Sequence, residues 1–417
     1  MKYAHLADLH LGSWRDLPLR DLSTKAFLLA MDDCVQQQVD FILFAGDIFN
    51  TSLPSLDTLK IVTKKLKELK DYSIPVYVIP GSHDFSPSGK TMIDVLEHAG
   101  LVKNVCKGTV DEANILHLQF TQDQKTGAKL TGIPGRKGQL DRSYYEQLAL
   151  EELEQEPGYK IFLFHTSLTE LKPKHLENVE SYPASFLPKR FNYYAGGHLH
   201  HRTLVELPDY GPLTYPGALF PNNFLEVEKY SHGGYFIITA IAAARTPADG
   251  AVSGASQTMD WRPVVPIHHH HFTLDCSHKT PEQATAELEQ QLAAVKVTGS
   301  LVTLRLSGML EQGKVADLPL RRIMEHLLSL GAYSVLRNTA QLQSPQFEEV
   351  KIASTNQETI EEELIREHQQ QNALFPAERE RQLTKTLLTT LNTTRKEGET
   401  MPDFQARVEQ EIGKLLS

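Results

Sequence analysis

The sequence predicts an α/β fold in which helices cover a sheet or a pair of sheets. Strands predicted at 40–45 and 75–79 alternate with an amphipathic stretch at 54–70. The segment 40–45 contains a continuous apolar run, which is typical of a strand that is buried on both faces. Alternation of such strands with helices favours a layered α/β domain.

The remaining elements follow from local patterns. Residues 22–38 are predicted as an amphipathic helix with Ser23 as its N-cap. Residues 92–98 and 144–156 are predicted as further helices. The other strands predicted in the first part of the chain are 115–120, 130–133, 159–164, 191–195, 213–217 and 234–240.

The pattern changes after residue 240 and predicts two further regions. Residues 242–262 are rich in Ala, Gly, Ser and Thr, which indicates a loop. A smaller α/β unit follows, with strands at 264–274, 301–306 and 332–336 and helices at 281–295 and 319–330. From about 341 the chain is predicted to be helical. The predicted domains are therefore 1–262, 263–340 and 341–417.

Length, composition and charge limit the number of domains, the cellular compartment and the kind of ligand. The 417 residues suffice for two or three domains, and no apolar run approaches the ~20 residues of a membrane helix. Residue 2 leads directly into a strand, so we expect no signal peptide. Cys34, Cys106 and Cys276 have no paired spacing, which favours a reducing compartment, and we expect a cytoplasmic protein. The net charge of −10 implies that any phosphate-binding surface is local or supplied by metal ions.

Five predicted strands end in residues that can bind a metal ion. Taken singly, such residues are ordinary turn or core residues, and Asp-x-His or His-x-His is a weak motif. Loops at the carboxyl ends of strands converge on one crevice of an α/β sheet, so the five together predict a two-metal site. The residues are Asp8 and His10, Asp47, Ser82 with His83 and Asp84, His165, and His198 with His200.

The mixture of imidazole and carboxylate donors indicates the chemistry. It favours manganese, iron or zinc over magnesium or calcium. So many donors suit two ions about 3.5–4 Å apart that share a carboxylate. Such a pair binds a phosphate ester and activates water for attack on phosphorus, so the sequence predicts phosphoester hydrolysis.

These motifs resemble those of the calcineurin-like metallophosphoesterase superfamily. Within it, the segments 5–12, 45–49, 193–200 and 215–217 are similar to the SbcD and meiotic-recombination-eleven family of DNA-repair nucleases. The resemblance implies a metallophosphoesterase sandwich of two central sheets flanked by helices. It also implies a small α/β capping domain and a helical C-terminal tail that binds an SbcC-type coiled-coil ATPase.

The resemblance also implies a role for each site residue. Asp8, His10 and His200 would bind one manganese ion and His165, His198 and Ser82 a second, with Asp47 bridging them; iron or zinc stays open. His83 would stabilise or protonate the leaving oxygen, and Asp84 would orient His83. Ser82 stands where the family has asparagine, so we expect weak binding of the second ion. Asn50 stands where some members have histidine. The helices corresponding to 54–70 and 91–100 would form a homodimer.

Three functions stay open from the sequence. The first is a manganese-dependent DNA exo/endonuclease that acts on DNA ends with an SbcC-type ATPase in double-strand-break repair. The second is a phosphoesterase that acts on nucleotides or proteins. The third is a scaffold whose catalysis is weakened at Ser82 and Asn50. The capping domain and the apolar stripes of the tail favour the first.

Overall fold

A computed structural model of the chain describes residues 1–172, 181–241, 256–345, 376–391, 393 and 401–416. In chain order its strands are β1 (Lys2–Leu6), β2 (Phe41–Ala45), β3 (Val76–Ile79), β4 (Lys103–Asn104), β5 (Gly108–Val110), β6 (Leu116–Leu118), β7 (Thr121–Gln122), β8 (Lys129–Ile133), β9 (Lys160–His165), β10 (Tyr193–Gly197), β11 (Thr203–Val205), β12 (Leu213–Tyr215), β13 (Gly233–Ala240), β14 (Gln257–Val264), β15 (His269–Asp275), β16 (Leu301–Met309) and β17 (Ser334–Gln343). Its helices are α1 (Leu17–Gln36), α2 (Leu56–Asp71), α3 (Met92–His98), α4 (Arg142–Glu146), α5 (Leu150–Gln155), α6 (Phe224–Tyr230), α7 (Pro281–Ala293), α8 (Leu320–Ser329), α9 (Ala377–Leu391) and α10 (Met401–Leu416). Met1–Pro345 and Gln346–Ser417 form two compact units.

Two six-stranded sheets form the centre of the first unit. One has the order β14-β13-β1-β2-β3-β4 and the other β11-β12-β10-β9-β8-β7. Strands β1 to β4 run parallel to one another, and so do β8, β9, β10 and β12. The remaining strands of these two sheets pair antiparallel. The parallel strands therefore form the middle of the second sheet, whereas in the first sheet they extend to the β4 edge.

The two sheets pack face to face. Tyr3, Phe41 and Tyr77 from the first sheet share one buried cluster with Ile161 and Tyr193 from the second. Side chains alternate across a strand, so the neighbouring residues point outward, where α1, α2 and α3 cover one sheet and α4 and α5 the other. The predicted α/β sandwich with helices on both outer faces is confirmed.

A third, parallel sheet of order β15-β16-β17 follows in the chain. Helices α7 and α8 cover it, and Leu274, Leu288, Leu304 and Ile323 belong to its separate core. The Arg305 guanidinium on β16 donates to the carboxylate of a residue on α6, Glu228, and so joins this sheet to the rest of the unit. The division at residues 262 and 340 stays a prediction.

Two local predictions were wrong. Helix α1 begins at Leu17 because Pro18 and the Asp16 cap start it there, with the Asp16 carboxylate accepting the Leu19 N–H at 3.2 Å. Ser23 therefore lies buried within the helix. Residues 257–262 are not a loop but part of β14, whose half-exposed polar residues hide its strand character. Residues 242–255 of the predicted loop lie outside the described residues.

Two further expectations concern cysteines and membranes. Cys34, Cys106 and Cys276 are free thiols. Within the described ranges, no helix has the length and apolarity needed to cross a membrane.

His5 lies between the two sheets, where no water reaches it. Its Nδ1 lies 2.9 Å from the Tyr193 hydroxyl and 3.2 Å from that of Thr214. Burial lowers the pKa of His5 to about 3, because the charged imidazolium is poorly solvated there. The folded protein thus keeps His5 neutral at pH values where the unfolded chain protonates it.

We therefore expect His5 to make unfolding pH-dependent. Its contribution to stability is full above the unfolded pKa of about 6.5 and decreases as the pH falls from there toward the folded value. Between pH 7.5 and 5.5 the wild type should lose about 1.4 kcal/mol more unfolding free energy than His5→Gln. Urea unfolding at both pH values measures this. His326→Gln, which removes an exposed histidine of α8, should behave as wild type; equal losses in His5→Gln and wild type would contradict the assignment.

Candidate metal centre

The site lies where the parallel strands of both sheets end. β1, β2 and β3 are neighbours in the first sheet, and β9 and β10 are neighbours in the second. Because the two sheets face each other, the five loops that follow these strands meet at one edge of the sandwich. The structure brings the side chains of Asp8, His10, Asp47, His83, His165 and His200 together at this edge.

Two buried carboxylates form the centre of the cluster. Asp8 and Asp47 are 0% and 2% exposed. Both Asp8 carboxylate oxygens accept the His198 backbone N–H at 3.0 Å, and Asp47 Oδ1 accepts the His83 backbone N–H at 2.7 Å. The other Asp47 oxygen, Oδ2, lies 3.2 Å from His165 Nε2. Each carboxylate is therefore fixed by backbone and directed at an imidazole.

Three imidazoles are oriented by acceptors outside the cluster. The Nδ1 atom of His165 lies 2.8 Å from the Ala45 carbonyl oxygen, that of His83 2.8 Å from the Asn50 carbonyl oxygen, and that of His200 2.9 Å from Glu226 Oε1. A carbonyl or carboxylate can only accept, so each Nδ1 donates and the Nε2 of each neutral ring keeps a lone pair. These Nε2 atoms are directed into the cluster, as metal ligation requires.

The donor set fits divalent cations. Asp8, His10 and His200 have ligand atoms within 4.8 Å of one another, and so do Asp8, Asp47 and His165. Nε2 of His10 and of His200 lie only 3.0 Å apart, and the buried Nε2 of His165, although 3.2 Å from Asp47 Oδ2, makes no well-aligned hydrogen bond. Imidazole atoms that face each other without other partners are what a shared cation would stabilise.

Two predicted ligands, Ser82 and His198, lie beside this central set. They line a cavity of about 240 Å³ together with His165, and the rings of His165 and His198 lie 5.4 Å apart. His198 does not belong to the close groups of His, Asp and Glu atoms, whereas His83 forms one with His10 and Asp47. The structure thus places His83 within ligand distance, although the resemblance implied a role without ligation.

The charges of the cluster explain why it would hold a cation. Burial lowers the pKa of His165, but Asp47 and Asp8 outweigh this effect and raise it to about 10. For His200, burial is likewise outweighed by Glu226 and Asp8, which raise its pKa to about 9. Carboxylates that draw protons onto these imidazoles stabilise positive charge at this point. A bound divalent cation would replace those protons.

The backbone around the cluster is strained. Asp8, His10, Asp47 and His198 have φ values of 51°, 41°, 50° and 90°, in a region that non-glycine residues rarely adopt. Such strain concentrates at functional sites because the surrounding structure must enforce it. It turns four site residues sharply at the ends of their strands.

Two glycines of the motifs are required by close approach. A Cβ atom on Gly46 would lie 2.2 Å from His165 Nδ1, and one on Gly81 would lie 2.2 Å from the Asp47 nitrogen. Any side chain at either position would displace a site residue. The glycines of the Gly-Asp and Gly-Ser-His-Asp motifs are therefore explained by close packing around Asp47.

The Asp84 side chain was expected to orient His83, but it bonds to backbone groups instead. Its carboxylate accepts the backbone N–H groups of Ile48 at 3.3 Å, Phe49 at 3.0 Å and Gly81 at 2.9 Å. Among the hydrogen bonds of the described residues, none joins the side chains of Asp84 and His83. Burial and the nearby Asp47 charge raise the pKa of Asp84 to about 7 against these donors. Asp84 thus ties the loop after β2 to the loop after β3, and the Asn50 carbonyl holds His83.

The sequence analysis missed Glu226. Its carboxylate accepts from His200 Nδ1, from the Asn222 backbone N–H at 2.8 Å and from Asn223 Nδ2 at 2.7 Å. The spacing from the N-cap Asn223 to Glu226 is a recognisable helix start, but nothing local indicates the contact with His200. Carboxylates that fix a ligating histidine are a regular part of metal sites.

Comparisons with known proteins give a family match and several similar proteins. Residues 1–202 match the family described as calcineurin-like phosphoesterase. The chain is similar to the DNA double-strand break repair protein Mre11 of Archaeoglobus fulgidus, with 28% identity over 55% of this chain and 52% of that protein. It is also similar to the uncharacterized metallophosphoesterase YhaO of Bacillus subtilis, with 24% identity over 57% of each chain. The chain spans about half the length of these curated relatives. A solved dimetal phosphatase from Danio rerio matches with a TM-score of 0.39 and 11% identity, over 57% of this chain and 92% of that one.

We expect Glu226→Gln to weaken metal binding. The amide cannot accept from His200 Nδ1 with the strength of a carboxylate, so the His200 ring loses its orientation and part of its basicity. Loss of such a partner typically costs 10- to 100-fold in metal affinity. Calorimetric titration with Mn²⁺ measures the change. Glu112→Gln, which alters an exposed carboxylate on the loop between β5 and β6, is the matched control. Unchanged affinity in Glu226→Gln would show that Glu226 does not support the site.

Proposed function

We propose that this chain, whose residues 1–202 form a calcineurin-like phosphoesterase domain, is a manganese-dependent DNA exo/endonuclease. It would act with an SbcC-type coiled-coil ATPase in DNA double-strand-break repair. The observation that carries the proposal is the cluster at the ends of five parallel strands, where Asp8 and Asp47 face His10, His165 and His200.

The proposed roles follow the family resemblance, and the close groups of ligand atoms support those of Asp8, His10, Asp47, His165 and His200. Asp8, His10 and His200 would hold one Mn²⁺ ion, and Asp47 would bridge to a second ion held by His165, His198 and Ser82. The second ion is the weaker one, because a serine hydroxyl is a short and poor neutral donor and Ser82 stands where the family has asparagine. When bound, such ions supply the Lewis acidity that phosphoester hydrolysis needs.

His83 is the candidate acid for the leaving oxygen. Its Nδ1 is held by the Asn50 carbonyl, and its ring centre lies 4.9 Å from that of His10. This hydrogen bond fixes the ring while Nε2 stays directed toward the cluster, where it can hold a proton near a scissile phosphate. The contact uses the backbone of Asn50, so the absence of a histidine side chain at position 50 does not affect it.

DNA is the favoured substrate for two reasons. Several similar proteins are named DNA double-strand break repair proteins. In addition, Arg136 and Lys137 line the cavity that contains Ser82 and His198, and Arg202 follows the His200 loop directly. Cations beside a phosphoesterase centre suit the phosphates of a nucleic-acid backbone.

A homodimer would use the outer faces of α2 and the segment around α3. Helix α2 buries Val62 and Leu66 in its own domain, yet Leu53, Leu56 and Val95 are 78%, 86% and 57% exposed. Apolar side chains of this exposure on neighbouring elements suit burial by a second copy.

The tail offers the surface for the ATPase. No side chain described in α9 or α10 is buried, although both helices carry apolar stripes. Leu388 and Leu391 of α9 are 43% and 62% exposed. Amphipathic helices whose apolar side chains stay partly exposed are a usual means of docking to a helical partner.

We expect Asp8→Ala to abolish cleavage of linear duplex and hairpin DNA in Mn²⁺. Asp8 is shared between two close groups of ligands, so its removal should cost more than the roughly 100-fold lost with a ligand's neighbour. Glu112→Ala is the matched control. Ser82→Asn should raise activity at low Mn²⁺, because an amide oxygen binds the second ion better.

The same assay separates the alternatives. Hydrolysis of a small chromogenic phosphodiester without DNA cleavage would favour a nucleotide or protein phosphoesterase. Failure to bind millimolar Mn²⁺ in calorimetry, together with no hydrolysis of either substrate, would favour a scaffold. DNA cleavage that persists in Asp8→Ala would refute the proposed nuclease site.

We expect Leu56→Asp to weaken self-association. The carboxylate would have to be desolvated in the apolar contact, so sedimentation equilibrium should show dimers of the wild type and monomers of the variant. Addition of the SbcC-type ATPase to the same sedimentation experiment tests whether the tail helices α9 and α10 bind it. A monomeric wild type would contradict the dimer proposal.

A further inference from the structure

A cavity adjoins the candidate metal centre on its α6 side. It has a volume of about 510 Å³, and His200, Arg202, Glu226, Lys229, Tyr230 and Trp261 are among its lining residues. His200 turns its Nε2 into the metal cluster, so the cavity adjoins that cluster through this ring. This volume lies within the usual range for small-ligand sites.

The aromatic wall of the cavity is rigid. Trp261 donates its indole N–H to the Pro216 carbonyl at 3.0 Å and lies on Gly234, where a Cβ atom would come within 2.5 Å of the indole ring. The guanidinium carbon of Arg202 lies 4.8 Å from the Trp261 ring centre, and Lys229 Nζ lies 5.0 Å from that of Tyr230. Two aromatic rings, each with a cation beside it, therefore line one chamber.

The charge of the cavity is locally positive in a chain of net charge −10. Among the described residues that line it, Glu226 is the one carboxylate, and this group is already bound to His200 and two asparagines. Arg202 and Lys229 make no salt bridge with any described carboxylate. Their charges are therefore available to an anionic ligand.

We propose that this cavity binds the nucleotide next to the scissile phosphodiester. The base would stack on the Trp261–Arg202 pair and on Tyr230, and the phosphate would face Arg202 and Lys229. Aromatic and guanidinium planes accept any base, whereas the cations recognise the backbone. This inference rests on the proposed nuclease function, because it assigns a position to part of that substrate.

Binding of thymidine monophosphate to the metal-free protein tests the cavity. Calorimetric titration in EDTA should show binding to the wild type and weaker binding of deoxyribose 5-phosphate, which lacks a base. Arg202→Gln and Tyr230→Leu should each weaken thymidine monophosphate binding roughly 5- to 100-fold, the usual cost of losing a stacking partner. Arg321→Gln, which alters an arginine side chain 90% exposed on α8, is the matched control and should bind as wild type.

Each outcome of the titrations supports or overturns the nucleotide assignment. Equal affinity for deoxyribose 5-phosphate, or no loss in both Arg202→Gln and Tyr230→Leu, would overturn the nucleotide assignment. Absence of binding by a wild type that cleaves DNA in Mn²⁺ would also overturn it and leave the proposed function standing. Selective binding that is lost in the variants supports the cavity even if DNA is not cleaved, in which case the nuclease proposal alone fails.

Discussion

The burial of Asp8 and Asp47 is the constraint on which the rest of the site depends. Two carboxylates removed from water require compensation by donors or positive charge. The fold supplies it from both sheets, through backbone N–H groups of His83 and His198 and through the imidazoles that face them. The same surroundings favour a bound cation. The two buried carboxylates that hold the loops together therefore also form the centre of the candidate metal site.

Helix α6 connects the metal centre to its surroundings. From seven residues it directs Glu226 to His200, Glu228 to Arg305 of the three-stranded sheet, and Lys229 and Tyr230 to the large cavity. Side chains of residues this near to one another in sequence point to different sides of a helix. A short helix can therefore make three separate contacts. A displacement of α6 would therefore move the support of the candidate ligand His200, the contact with the three-stranded sheet and the wall of the proposed nucleotide pocket together.

Much of the fold was predictable because its strands are locally unambiguous. Continuous apolar runs such as 41–45 specify strands covered on both faces, and the residues after them specify sharp turns. The predictions failed where the local signal was weak or misleading. β14 alternates half-exposed polar residues and is a strand only because it pairs with β13. Asp16 and Pro18, rather than Ser23, set the beginning of α1.

The sequence by itself determined which residues are candidates for the chemistry, because Asp8, Asp47 and His165 each lie at or just past the end of a strand that can be located from the chain alone. Only the tertiary structure decided how they are supported. Glu226 orients His200, the Asn50 carbonyl holds His83, and Asp84 joins two loops. Several of these contacts join residues distant in the chain, and those of the Asn50 carbonyl and of Asp84 use backbone groups, whose positions side-chain patterns do not encode.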